Sequence, residues 1–517
     1  MPRSHGGAAL QVFPLNLPGF NGLNKQARGS LLGPEWATRL ENSVIDTSNR
    51  IAARNGWLDQ TATPHSGTIK QITEFNNAGV FELIGVTDAL AMVKSVNGGS
   101  TWTVVTNTAT VTDANMQFVI FRNKLLGLQA TGTIIIYTGT NFTNLAAASE
   151  PQGGLGVAAF GRLWVKKDAT SLRYCALLNE ADWTGTDAGT FDLTSVWKGQ
   201  DVISAIAEFN GSLVIFSQRS IIIYTDGSGS KLGMNPIQAY VSDTLSGIGC
   251  IARDSVTNVK GDLWFLDSTG VHSLSRLVQT GTDNPLTNLS ANVQDELKGF
   301  VAVSTAAAIR AVYSPKDRFY LLSLPAGSGT TETGATFCFD TRGYLQDGSA
   351  RCTGIWSQLV PLAYSVRDTS LDLIMVRRQS VGRVGKYSGF LDGASTYVMQ
   401  YESGWTNLDQ ETLKMLKRVG GLFFIQALTS VTFKWAFDFD ETFSTGTVIY
   451  PASGTIAEWG TAEWGTGQWG GGVTIKDKHV GGTGTGKYIK IGFSVSINSS
   501  TIACQQVSLY AKQGRPT

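Results

Sequence analysis

Charge is scarce in this sequence, and what there is cancels. Only 16% of residues are charged, and 41 Lys and Arg face 40 Asp and Glu, for a net charge of +1. An average soluble protein carries about 25% charged residues. A protein that grips nucleic acid by its phosphates needs a basic excess or a basic stripe. Neither is present, so if nucleic acid meets this chain, the chain lets it pass rather than holding it. Long apolar runs are missing too: none approaches the ~20 residues of a membrane span. MPRSHGGAALQVF at 1–13 lacks the apolar core of a secretory signal, so no signal is expected. The sequons at Asn141, Asn288 and Asn498 are therefore expected to be idle.

Chemistry-bearing residues are equally thin. The five cysteines, Cys175, Cys250, Cys338, Cys352 and Cys504, are odd in number and form no CxxC pair, which reads as reduced thiols. His5, His65, His272 and His479 are the four histidines, and none has a second ligand at metal spacing. HExxH and GxSxG motifs are absent. GGTGTGK at 481–487 has the Gly-x4-Gly-Lys part of a phosphate loop. Tyr488 follows where Ser or Thr would hold Mg²⁺, and a strand pattern follows where a helix would have to begin. YTDGSGSKLG at 224–233 looks like a calcium loop without its closing Glu, and reads as a solvated turn. A glycosidase needs two facing carboxylates, and spacing selects no pair from Asp187, Asp192, Asp243 and Asp267. The expectation is a non-enzyme with no catalytic residue, no metal site and no cofactor.

Glycine, by contrast, is abundant at 59 of 517 residues, among many Thr and aromatics. That mixture favours short strands joined by tight turns. One phrase recurs: a turn, an apolar strand, a second turn and a second strand. It reads FRNKLLGLQATGTIIIYT at 121–138, FGRLWVKKDATSLRYC at 160–175, FNGSLVIFSQRSIIIYT at 209–225 and VKGDLWFLDSTGVHSLS at 259–275. Weaker copies lie at 78–95, 315–325 and 369–388. The first apolar strand positions are Phe81, Leu125, Leu163, Leu213, Leu263, Phe319 and Leu373, at intervals of 38 to 56 residues. Propeller blades repeat at about 40–50 residues. SVNGGSTWTVVT at 95–106 resembles the Asp-box turn of some propellers, with Asn97 in the Asp position and Gly99 and Trp102 following. It counts as fold evidence only.

The expectation is an all-β chain: a β-propeller of six or seven blades plus a β-rich, sandwich-like platform formed by the C-terminal and N-terminal flanks. The divisions read as 1–65 for the N-terminal platform segment, 66–397 for the propeller and 398–517 for the C-terminal sandwich. Two short helices are predicted. One is in LLGPEWATRLENSVID at 31–46, where Trp36 and Leu40 fall at i and i+4. The other is in TNLDQETLKMLKRVGG at 406–421, with Thr406 or Asn407 as cap. Trp459, Trp464 and Trp469 read as a glycine-rich loop whose rings pack on a sheet or a neighbouring subunit.

The flanks carry a resemblance. Residues 13–57, with Gly22-Leu23-Asn24-Lys25-Gln26 and then Asn42, Arg50, Arg54 and Gly56, resemble the opening of tail nozzle proteins of short-tailed, podovirus-like bacteriophages. These are also called tail tubular protein B or packaged-DNA stabilisation proteins. KRVGGLFF, the Trp-Gly run and SLYAKQGR are similar to their ending, and VISAIAEFNGSLVIFSQRSIIIYT to their blades. The resemblance implies a structural virion protein in a homo-oligomeric, hexameric ring below the tail adaptor, meeting tail fibre or spike proteins. Packaged double-stranded DNA would be retained by the ring and later pass through it without sequence-specific binding. The protein would be made in the host cytoplasm and reside in the virion tail. Candidate channel or gate residues fall in two glycine-containing loops: Glu150, Gly153 and Gly154, and Asp226, Gly229 and Lys231. The competing expectation is a carbohydrate-binding or glycan-depolymerising propeller for host-surface recognition.

Overall fold

The computed structural model describes residues 10–16, 19–197, 201–226, 234–280, 288–327, 332–408, 411–451 and 474–514. Strands dominate, and six small sheets form the blades of a β-propeller. Blades one to four are four-stranded meanders at 69–104, 117–144, 156–192 and 203–246. Blade five, at 257–273, has three strands. Blade six, at 363–387, has three strands of its own plus Trp57–Asp59 from far upstream. A further meander, Arg310–Ser314, Phe319–Pro325, Gly334–Tyr344 and Ala350–Trp356, packs its first strand between the first strands of blades five and six. It then continues sideways into a ten-stranded sheet.

The recurring sequence phrase has one structural meaning. Phe81, Leu125, Leu163, Leu213, Leu263 and Leu373 all lie on the second strand of a blade, and Phe319 lies on the second strand of the meander. That strand has a neighbour on both sides, so its apolar residues are enclosed: Leu125, Leu163 and Leu213 are fully buried. The turn SVNGGSTW joins the outer two strands of blade one, Met92–Ser95 and Thr103–Val104. Asn97 Oδ1 accepts the Thr101 amide at 3.0 Å, and Trp102 is buried behind it.

Trp57–Asp59 closes the ring by pairing with Val384–Tyr387, a contact made across more than three hundred residues of sequence. Gly385 makes the closure possible, because a Cβ there would lie 2.2 Å from the Trp57 indole. Trp57 Nε1 donates to the Met375 carbonyl at 3.0 Å.

The platform is a two-sheet sandwich drawn from both ends of the chain. One sheet holds Leu10–Asn16, Ser43–Ile45, Ile51–Ala53, Lys414–Ile425, Thr474–Gly481 and Ile502–Gln513. The other is the extension of the meander, through Trp36–Glu41, Tyr397–Ser403, Ile489–Ile497, Thr429–Phe437 and Ser444–Tyr450. Between them, Phe423 meets Phe433, Tyr450 and Phe493 edge-on, at centroid distances of 5.2–6.1 Å.

Both predicted helices are strands. In 31–46 the chain forms Trp36–Glu41 and Ser43–Ile45, kinked at Asn42, where φ is +51°. In 406–421 it enters Lys414–Ile425. Helices this short are marginal alone, while both segments have sheet partners. KMLKRV also alternates: Lys414, Leu416 and Val419 are buried, and Met415 and Lys417 are exposed. The Trp459–Trp469 run lies outside the described residues. All five cysteines are free and buried. Among the described residues no helix is long and apolar enough to cross a membrane.

Candidate functional site

The propeller axis is where loops from several blades converge, and an ionic cluster joins them there. After blade four the chain makes a single helical turn, Arg253–Ser255, before entering blade five. Arg253 forks onto its neighbour Asp254, with Nε 2.7 Å from Oδ1 and Nη2 2.8 Å from Oδ2. The remaining guanidinium hydrogens reach other blades. Nη1 donates to the Gly154 carbonyl and Nη2 to the Asn115 carbonyl, both at 2.8 Å. Asp254 also receives Gln71 of blade one at 3.1 Å and Arg310 of the meander at 3.0 Å. One Arg-Asp dipeptide thus links blade one, the loops before blades two and three, and the meander.

Burial works to raise the Asp254 carboxyl, but the guanidiniums of Arg253 and Arg310 outweigh it and hold it below the usual carboxylate range. Burial instead pulls Arg310 down, against the attraction of Asp254. Two clefts flank this crosspiece. One, of about 460 Å³, is lined by Asp113, Asn115, Gly153 and Gly154 ahead of the inner strands of blades two and three, by Lys166 at the end of a blade-three strand and by Ser204 at the start of blade four. The other, of about 430 Å³, is lined by the inner strands themselves, at 117–120, 156–158 and 205–208. Among the described residues Arg253 and Asp254 alone line both, so they form the wall between them.

The candidate gate residues divide. Gly153 and Gly154 lie in the axial cleft, and both are glycines of necessity. A Cβ on Gly153 would sit 1.9 Å from the Lys166 carbonyl oxygen; Gly154 has φ +68° and abuts Ala130. Glu150 turns back to accept the Ala147 amide at 3.2 Å, and burial pushes its carboxyl up. Asp226 ends the third strand of blade four and accepts the Asn235 amide at 2.8 Å. Gly229 and Lys231 lie outside the described residues, as does the core of the calcium-like loop.

The carboxylates singled out in the sequence spread over three blades: Asp187 and Asp192 in blade three, Asp243 in blade four and Asp267 in blade five. Asp187 pairs with Arg162 at 2.6 Å, and Asp267 accepts the Gly249 and Thr269 amides. His272 is buried against Thr269. Sequence reading passed over Arg253, Asp254 and Arg310. The available signal was adjacent opposite charges in an interblade loop, IARDSV, of a chain poor in charge.

A second ionic site holds propeller to platform. Arg54 forks onto Asp392 at 2.6 and 2.8 Å, with side chains 0% and 3% exposed. Its guanidinium lies 4.1 Å from the Tyr397 ring centroid. Nε donates to Asn42 at 3.3 Å, and Asn42 Nδ2 donates to the Val398 carbonyl at 2.9 Å. Gly56 is forced, since a Cβ there would meet the Leu391 carbonyl oxygen at 2.0 Å. Asn42, Arg54 and Gly56 of the N-terminal phrase thus build one seam.

No family model matches the chain, and no curated protein matches it. Among solved structures it is similar to a chain of a mitotic checkpoint complex, at 9% identity, covering 65% of this chain and 95% of that one, with TM-score 0.37. It is also similar to the computationally designed protein Ika8, at 9% identity, covering 64% and 99%, with TM-score 0.34. Likenesses this distant carry no functional argument.

Proposed function

We propose that the chain is a structural subunit of a conduit: the tail nozzle of a short-tailed bacteriophage, assembled as a ring that retains packaged DNA and lets it leave. The observation that carries this reading is the way the two ends of the chain build a platform locked to the propeller by the Arg54–Asp392 seam. A seam of that kind suits a part that must transmit load rather than open. The axial crosspiece supports a second element. Duplex DNA has no room in clefts of about 460 and 430 Å³ divided by an ion pair. The path for DNA therefore lies beside the propellers, between copies of the chain. The near-neutral charge suits a wall that must not hold phosphates. The larger cleft gives the glycan-binding alternative no support, because among the described residues no aromatic ring on which a sugar could stack lines it.

Native mass spectrometry of the purified chain at micromolar concentration tests the proposal. A closed ring, six copies by this reading, is expected. A monomer at every concentration would remove it.

A further inference from the structure

The larger axial cleft has features that the conduit reading does not use. Ser204 lies at a break in register on the first strand of blade four, between Ile203 and Ala205. Bulges of this kind re-aim a side chain and gather near functional sites. Ser204 lines the cleft, and its hydroxyl is buried without a hydrogen-bond partner among the described residues. A buried hydroxyl left unpaired is costly, so the position calls for an acceptor or donor from outside. Beside it, Lys166 reaches across from blade three and donates to the Ile203 carbonyl at 2.9 Å. An ammonium has three donors, and this is the one bond that it makes among the described residues. Burial draws the Lys166 ammonium below its ordinary range, against the pull of Asp168. A nearby anion would relieve that penalty.

Aliphatic side chains share the wall with polar ones: Leu155, Val202, Ile203 and Ile251 stand beside Asp113, Asn115 and Gln218. The ionised groups in and beside the cleft are Lys166, Arg253 and Arg310 against Asp113, Asp168 and Asp254, so the charges cancel. Arg253 and Arg310 are spent on Asp254 and on carbonyls, which leaves Lys166 as the cation open to a ligand.

We infer that this cleft binds a short aliphatic carboxylate, with the carboxylate on Lys166 and Ser204 and the hydrocarbon against Leu155, Val202 and Ile251. A volume of about 460 Å³ admits a small acid. The inference is independent of the conduit proposal, since it concerns one propeller alone.

Saturation-transfer NMR with butyrate, butanamide and inorganic phosphate, on the full chain, tests it. Butyrate is expected to bind at least ten times more tightly than butanamide. Lys166→Met should abolish that preference, and Ser204→Ala should weaken butyrate several-fold. Thermal unfolding of both variants, expected near the parent midpoint, guards against misfolding. The inference is overturned if butyrate does not bind, if it binds no better than butanamide, if phosphate binds in preference, or if butyrate binding survives Lys166→Met. Should Lys166→Met unfold, Ser204→Ala alone decides: unchanged butyrate affinity in that variant overturns the inference.

Discussion

Two ionic sites, one at the seam and one on the axis, use the same chemistry to different ends. At the seam, Arg54 and Asp392 are sealed from water and every neighbour is committed to them: Asn42, the Tyr397 ring and the close passage at Gly56. On the axis, Arg253 and Asp254 are each about a fifth exposed and stand between two clefts. A pair without solvent is a lock, since removing one partner strands the other charge. A pair walled by clefts is a partition, which can be altered without dismantling the ring. The difference separates what holds this molecule together from what its centre can do.

The largest effect is expected at the lock. Arg54→Met leaves Asp392 buried and unpaired, and should lower stability by ~3–5 kcal/mol in denaturant titration. A loss below 1 kcal/mol would erase the distinction between the two sites. Gly385→Ala comes next. It forces a methyl into the Trp57 indole and should cost ~1–3 kcal/mol, with Trp57 emission shifting as the closing strand loosens. Arg253→Met should cost less than Arg54→Met, ~1–2 kcal/mol, because Arg310 still faces Asp254 and solvent reaches the site.

The smallest effect concerns acid. Asp372 joins Lys316 of the meander to Lys386 of blade six, at 2.6 Å each. Burial works against its charge, yet these lysines hold its carboxyl down at about 2. A depressed carboxylate contributes stability that is present above its unfolded value, near 4, and lost as pH falls through the folded one. Asp372→Asn should therefore destabilise the protein at pH 7 by about 1 kcal/mol and flatten the acid limb between about pH 4 and 2. Asp254, held low by Arg253 and Arg310, adds to the same limb with the same sign.

The propeller was legible because its signal is local. Each blade's second strand carries its own turn and its own apolar run, so Phe81 through Leu373 could be counted without knowing any partner. The flanks were misread where partners decide. Trp36–Glu41 is a strand because Tyr397–Ser403 pairs with it, and nothing within 31–46 encodes that. KMLKRV was no clearer, since Lys414 is buried and Met415 exposed, the reverse of what their side chains suggest. The axial site was partly legible. Gly153 and Gly154 were reached as loop glycines, whereas Arg253, Gln71 and Arg310 come together only when the ring closes.

On the proposed reading each propeller is closed at its own centre, and the channel lies between copies. Averaged electron micrographs of the assembled protein test it most directly. A ring is expected with one open hole on its symmetry axis and propellers around it, each closed at its own centre. An open shaft running through individual propellers, or a field of separate monomers at assembly concentrations, would contradict it.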